Sequence, residues 1–492
     1  MGVNRFRKNG RLLSVLALIT FCLTLPATAL ATGKNAKYVI LLIGDGMGIP
    51  QRMATEAYCG KKLVMDTLPA QGLTTTCAND RFITGSAASA TAIACGKKTN
   101  INYIGVDENL APVKSIAELA KEQGKKVGIV SSVSIDHATP AAFYAHVKTR
   151  KMYHEIDIAL AESGFDFFGG GGLMDPAGKK SKAPKGDALA LARANGYKIV
   201  TDKQTFMDLK KGSGKVLAWN NRLQDAQALP YAMDMDKEDI TLPEFTAKAI
   251  EMLDSPEGFF LMVEGGKIDW ACHANDAAAA LENNIAFDKS VQVAMDFYNR
   301  HKDDTLVIVT GDHECGGLTL GFAGTKYASH FEVLGNQKIS FQKFTDETLP
   351  AFKARKASDA TFSQMKKIIT ENFGLRFEGD AHANPMVLKP FEIDQLAQAF
   401  ARTMGAGTED AKDPALYILY GDYDPLAVTI THTMSQKAGL GWTSYKHTGI
   451  PVSTSAIGQG AEAFNGYYDN TDIALKVMSV MGLSPQVYMA TR

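Results

Sequence analysis

The chain has 492 residues, 46 % of them hydrophobic and 21 % charged, a composition ordinary for a globular enzyme and enough to bury a large core. Its formal net charge of −1 gives no general electrostatic attraction for nucleic acid or anionic lipid. Local basic runs such as Lys179-Lys180-Ser181-Lys182 read as solvated loop.

The N-terminus reads as an export signal. Arg5, Arg7, Lys8 and Arg11 precede an apolar run from Leu12 to Leu25, followed by Pro26 and the small-residue end Ala29-Leu30-Ala31. A basic region, a short apolar region and an A-x-A site are the parts of a secretory signal, and the run is short for a membrane span. Cleavage near Ala31 predicts an exported protein, periplasmic or secreted, with no stable membrane insertion. Removing residues 1–31 deletes four positive charges and no acids, so the net charge moves from −1 to −5. Five cysteines remain, Cys59, Cys77, Cys95, Cys272 and Cys315, and none has C-x-x-C spacing. Cys59 and Cys77 are the pair suspected of forming a disulfide.

Lys37–Gly44 is a continuous apolar run of the kind buried on both faces of a sheet, and it ends in Asp45-Gly46-Met47-Gly48. Ala70–Cys77 reads as a second strand, and Arg81-Phe82-Ile83 as the end of a strand leading into Thr84-Gly85-Ser86. Ala87–Ala94 then forms the first turns of a helix, with Ser86 at its start, where free backbone N–H groups favour an anion. Lys114–Gln123 is an amphipathic helix and Lys126–Ser132 another buried strand, followed by Asp136, His137 and Thr139-Pro140. The run Gly169–Gly172 lacks phosphate-loop spacing and reads as a turn. Leu242–Leu253 is helical, and Gly258–Val263 is a strand ending in Glu264, with Asp269 and His273 beyond it. After the long helix Ala277–Asn299, the strand Thr305–Thr310 ends in Gly311-Asp312-His313. From about 322 to 440 the strand-then-acid pattern stops, which predicts an inserted subdomain; Thr471–Val480 closes the chain as a helix.

Strand and helix alternation predicts an α/β fold: three layers, with a large, mostly parallel central sheet flanked by helices. In such a sheet ligands bind at the carboxyl edge. Three buried strands end there in acids or Asp-His pairs, and a serine starts a helix nearby. Carboxylates mixed with imidazoles suit zinc, and carboxylates with a threonine hydroxyl suit magnesium. A metal-dependent phosphoryl- or sulfuryl-transfer site is the reading these residues support best. A Ser-His-Asp triad is the competing mechanism, but no Gly-x-Ser-x-Gly elbow surrounds Ser86.

The chain resembles the bacterial alkaline phosphatases. The resemblance rests on Ile43–Gly48, Ser86–Ala92, Asp136–Ala142, His146-Val147 with Arg150, Val263-Glu264-Gly265 with Ile268-Asp269 and His273, Thr310–His313, and His447-Thr448-Gly449. It implies a phosphomonoesterase acting through a phosphoserine, with Ser86 as nucleophile and Arg150 gripping the phosphate. One zinc would be held by Asp269, His273 and His447, and a second by Asp45, Asp312 and His313. A third site, normally magnesium, would use Asp45, Thr139 and Glu264, with His137 nearby. The resemblance further implies a homodimer, a catalytic unit of residues 32–321 and 441–492, and a crown-like insert at 322–440.

Three positions depart from the family pattern. Gly85 stands where many members carry an Asp that helps hold the arginine, which predicts a looser Arg150. His137 as a nitrogen donor weakens magnesium preference at the third site and makes zinc more competitive. Trp270 removes direct phosphate contact from its position. Two other activities remain to be weighed: a phosphodiesterase or sulfatase on the same scaffold, and an exported phosphate- or metal-binding protein without turnover. Ala88 replaces the proline a sulfatase run requires, and Arg150 favours monoesters.

Overall fold

The computed structural model describes residues 35–355, 360–405 and 413–483, so the export signal read in residues 1–31 lies outside them. Twelve strands are present among these residues: β1 (Tyr38–Gly44), β2 (Ala70–Thr75), β3 (Lys126–Ser131), β4 (Phe167–Gly170), β5 (Tyr197–Val200), β6 (Lys215–Trp219), β7 (Phe259–Glu264), β8 (Thr305–Gly311), β9 (Glu314–Cys315), β10 (His447–Thr448), β11 (Val452–Gly458) and β12 (Gly466–Asp469). Ten of them form one sheet in the order β12-β2-β11-β8-β1-β7-β3-β4-β6-β5, and β9 pairs with β10 in a small separate ladder. Only β11 runs against its neighbours in the large sheet.

The sheet has helices on both faces, as the alternation along β1 demonstrates. Val39, Leu41 and Ile43 enter one apolar cluster, while Tyr38, Ile40 and Leu42 enter another on the opposite face. Every residue of β1 is buried, which accounts for its unbroken apolar run. Register then aligns the acids. Ile43 pairs with Glu264 on β7 and with Thr310 on β8, and Ser131 on β3 also pairs with Glu264. Asp45, Glu264 and Asp312 therefore leave the sheet at one level of its carboxyl edge.

A third apolar cluster joins Ala54, Ala277 and Leu281 to Leu334, Phe344, Met365, Leu396 and Met434 in the helical stretch before residue 440. Two buried aspartates tie that stretch down. Asp276 accepts from Phe341 N and Gln337 Nε2 at 2.9 Å, and Asp234 accepts from Ser340 N at 3.0 Å.

Three local expectations require correction. Arg81-Phe82-Ile83 is not a strand end but part of an irregular loop, with Phe82 75 % exposed, because no neighbouring strand lies in register with it. Gly169 and Gly170 belong to β4 and not to a turn: a Cβ on Gly170 would lie 1.7 Å from the Ser131 carbonyl oxygen, so glycine is what lets β4 reach β3. Cys59 and Cys77 are both free thiols and form no disulfide. Among the described residues, no helix is long and apolar enough to cross a membrane.

Candidate active site

Ser86 is the first residue of the helix Ser86–Cys95, all of whose residues are buried, and Gly85 caps it with extended backbone. That position gives Ser86 both its hydroxyl and the free amides of a helix start. Its Oγ lies 3.3 Å from His313 Nε2. Ser89, one turn on, donates to the Asp312 carbonyl at 2.6 Å and locks the helix against the end of β8. A Cβ on Gly85 would meet only Ile101, at an ordinary 3.5 Å, so glycine is not sterically required there.

Three groups of ligating atoms surround this serine. Within each group the atoms lie within 4.8 Å of one another. The first contains Asp269, His273, His447 and also Cys315. Asp269 and His273 are one turn apart on the helix Lys267–His273, with His273 Nε2 3.3 Å from Asp269 Oδ2. His447 arrives from β10, its Nε2 3.1 Å from His273 Nε2. The other ring nitrogens are fixed by backbone: His273 Nδ1 bonds the Tyr445 carbonyl at 2.6 Å, and His447 Nδ1 bonds that of Thr84 at 2.9 Å.

The second group is Asp45, Asp269 and His313. His313 Nε2 lies 3.5 Å from Asp45 Oδ1 and 3.3 Å from Asp312 Oδ2, so Asp312 adjoins this group. Asp312 Oδ1 is already committed, accepting from Gly46 N at 3.1 Å and from His313 N at 2.9 Å.

The third group is Asp45, His137 and Glu264. Thr139 donates to Asp45 Oδ2 at 3.4 Å, and the Ser131 hydroxyl donates to Glu264 Oε2. Arg150 reaches His137. Its Nη2 donates to His137 Nε2 at 2.6 Å, which leaves His137 Nδ1 facing Glu264 Oε1 at 3.9 Å. Trp270 presents its ring edge-on to His137, with centroids 5.8 Å apart. Ser86, His137, Arg150, Asp269, Trp270 and His447 line a cleft of about 570 Å³.

The electrostatics are those of a crowded, dry array of acids. Burial, reinforced by Asp312, Asp269 and Glu264, pushes the Asp45 carboxyl well up. Burial also raises Glu264 to about 7 and, with Asp269, raises Asp312 to about 8. Burial would raise Asp269 too, but the imidazoles of His273, His447 and His313 hold it well below the usual range. Burial pushes His137 and His313 down, so both stay neutral with a lone pair to offer. Asp45 Oδ1, Asp269 Oδ1, Asp312 Oδ2 and Glu264 Oε1 are buried without a hydrogen-bond partner. Such orphaned carboxyl oxygens beside neutral imidazoles fit divalent cations, whose charge offsets what burial costs the ionised acids.

All eleven residues singled out in the sequence are thus drawn to one end of the sheet. Ser131 and Cys315 were missed. Cys315 carries a signal in retrospect: two residues beyond His313 in extended chain, it points to the same side.

A family model, "Alkaline phosphatase", matches residues 36–483. Alkaline phosphatase 4 of Bacillus subtilis is 33 % identical over 462 residues, covering 90 % of this chain and 88 % of its own. Among solved structures, a cold-active alkaline phosphatase from a psychrophilic Shewanella sp. shares 28 % identity with a TM-score of 0.74, over 90 % of this chain and 99 % of that one. A mutant alkaline phosphatase from the Antarctic bacterium TAB5, solved with Mg bound in its M3 site, shares 26 % identity with a TM-score of 0.63, over 92 % and 99 % of the two chains. The chain belongs to the alkaline phosphatase family and is a phosphoric monoester hydrolase.

Proposed function

We propose that the chain is an exported phosphatase that hydrolyses small phosphate monoesters to alcohol and inorganic phosphate through a phosphoserine at Ser86. The observation that carries this reading is the Ser86 hydroxyl, at a helix start and 3.3 Å from His313 Nε2, beside buried carboxylate oxygens that lack partners. Two zinc ions suit the groups of Asp269, His273 and His447 and of Asp45, Asp312 and His313. A third ion, magnesium or zinc, suits Asp45, Thr139, Glu264 and His137. When bound, these ions would supply the positive charge that makes a hydroxyl nucleophilic and stabilises a departing oxygen.

Each protein group has a part in that cycle. Ser86 Oγ forms a bond to phosphorus as the alkoxy group leaves, and water then displaces Ser86 to release inorganic phosphate. The helix-start amides face the phosphoryl oxygens. Arg150 can hold two of those oxygens with its planar fork once it leaves His137 Nε2. Ser131, Thr139 and the Gly46 amide orient the carboxylates. In this reading the residues 322–440 are an insert in the catalytic unit, and the molecule is a homodimer with no nucleic-acid partner.

The test is hydrolysis of p-nitrophenyl phosphate beside bis-p-nitrophenyl phosphate and p-nitrophenyl sulfate, in metal-replete wild type and Ser86→Ala. Monoester turnover that disappears in the variant and on chelation is the expected outcome. Preference for the diester or the sulfate would move the chain to a sister activity, and metal binding without turnover would make it a binding protein.

A further inference from the structure

The β9–β10 ladder pairs Cys315 directly with His447, and Glu314 with Thr448. Directly opposed residues on antiparallel strands place their side chains on the same face. The Glu314–Thr448 pair turns away from the cleft: the Thr448 hydroxyl donates to Glu314, which also accepts from Gln51 Nε2 at 2.8 Å. Cys315 and His447 therefore share the face towards Asp269. The thiol is fully buried, lies 3.7 Å from the Asp269 carbonyl oxygen, and falls within 4.8 Å of the ligating atoms of Asp269, His273 and His447.

Two observations independent of the thiol point to a cation at this spot. Asp269 is only 3 % exposed, yet its Oδ1 has no hydrogen-bond partner. The imidazoles of His273 and His447 each commit Nδ1 to a backbone carbonyl, so their two Nε2 atoms face one another at 3.1 Å. Two lone-pair nitrogens at that distance require either a proton or a metal ion between them.

We infer that Cys315 is a fourth protein ligand of the first metal ion, making that site Asp269, His273, His447 and Cys315. The inference rests on the metal-dependent reading above. As the sulfur–metal bond forms, the thiol proton passes to water, and no oxidation state changes. Sulfur is a donor that zinc accepts and magnesium does not, so the thiolate makes this site the zinc-selective one of the three. Cys272, one helix turn from Ile268 and also buried, serves as control: its Sγ accepts from Gln51 Nε2 at 3.8 Å and lies outside the group.

The full-length enzyme, stripped with a chelator and titrated with cobalt(II), provides the test. Visible d–d bands report that cobalt has bound, and a near-ultraviolet thiolate-to-cobalt charge-transfer band reports sulfur in its coordination sphere. Both are expected in wild type, with the charge-transfer band lost in Cys315→Ser and kept in Cys272→Ser. Zinc affinity at this site should fall about tenfold or more in Cys315→Ser. Wild-type d–d bands without the charge-transfer band, or a band that survives Cys315→Ser, would overturn the assignment while leaving the metal-dependent reading intact. No cobalt bands at all would overturn both. The wild-type spectrum decides between these outcomes even if Cys315→Ser does not fold.

Discussion

The two ends of the site are held by different means. At the Asp269 end, His273 and His447 are each pinned through Nδ1 to a backbone carbonyl, which fixes both tautomers and aims both Nε2 atoms inward. At the Glu264 end, His137 has no such anchor, and the group that touches it is Arg150, the residue proposed to grip phosphate. A neutral imidazole has one lone pair. While Arg150 donates to Nε2, that lone pair is occupied and Nδ1 carries the proton, so His137 cannot also bind an ion through Nδ1. The difference teaches that one end is fixed by the backbone itself, while the other is held by a side chain that the proposed chemistry also needs.

Substitutions can break or sharpen that contrast. The largest effect is expected from Asp269→Asn, which removes a buried carboxylate that lies in two of the three groups, as Asp45 also does. It should cost one bound ion per chain by elemental analysis and lower kcat on the order of a thousandfold. Full metal content with near-normal kcat would contradict the arrangement. Next in size, His137→Asp makes the third group all-oxygen and replaces the imidazole that Arg150 touches with a carboxylate. Competition binding should show magnesium gaining on zinc by about tenfold; an unchanged ratio would mean that His137 does not set the preference.

Gly85→Asp acts from the other side. A side chain can start there, since a Cβ on Gly85 meets only Ile101 at 3.5 Å. A carboxylate at this position should draw Arg150 off His137 and tighten phosphate inhibition about three- to tenfold, and no change in the inhibition constant would refute the idea.

The smallest effect concerns stability, away from the three groups of candidate ligands. His146 Nε2 pairs with Glu118 at 2.9 Å. Burial alone would lower the His146 pKa, but the Glu118 bond and charge and the Gly105 carbonyl raise it above 6.5. Burial would raise Glu118, but His146 and the Ser115 amide take it below 4.5. The histidine's contribution is therefore complete below 6.5 and fades as pH rises through its raised folded value. The glutamate's is present above 4.5 and fades as pH falls through its lowered one. His146→Gln should cost about 1 kcal/mol in denaturant melts at pH near 6 and less at pH near 9. An equal cost at both would mean the pair is not charged.

Much of this site was legible because its acids follow buried strands. Asp45, Glu264 and Asp312 each end an apolar run, and parallel register between β1, β7 and β8 turns three separate motifs into one row. The helix-start serine was legible for a local reason, the run of small residues after Gly85. What stayed hidden depends on contacts between distant segments. Cys315 acquires meaning only through a two-residue ladder with His447, too short to announce itself as strands. The Arg150–His137 bond cannot be read from two side chains thirteen positions apart in irregular chain. β11 and the edge strand β12 lack the long apolar runs of β1, β7 and β8. Phe82 misled because an exposed aromatic in a loop has the composition of a strand.

The central claim is that phosphorus passes through Ser86. Wild-type enzyme mixed with radiolabelled phosphate monoester, quenched in acid during turnover and mapped by peptide, measures this directly. The account predicts label on the peptide containing Ser86 and none in Ser86→Ala. Full turnover with no covalent label, or label that persists in Ser86→Ala, would contradict it.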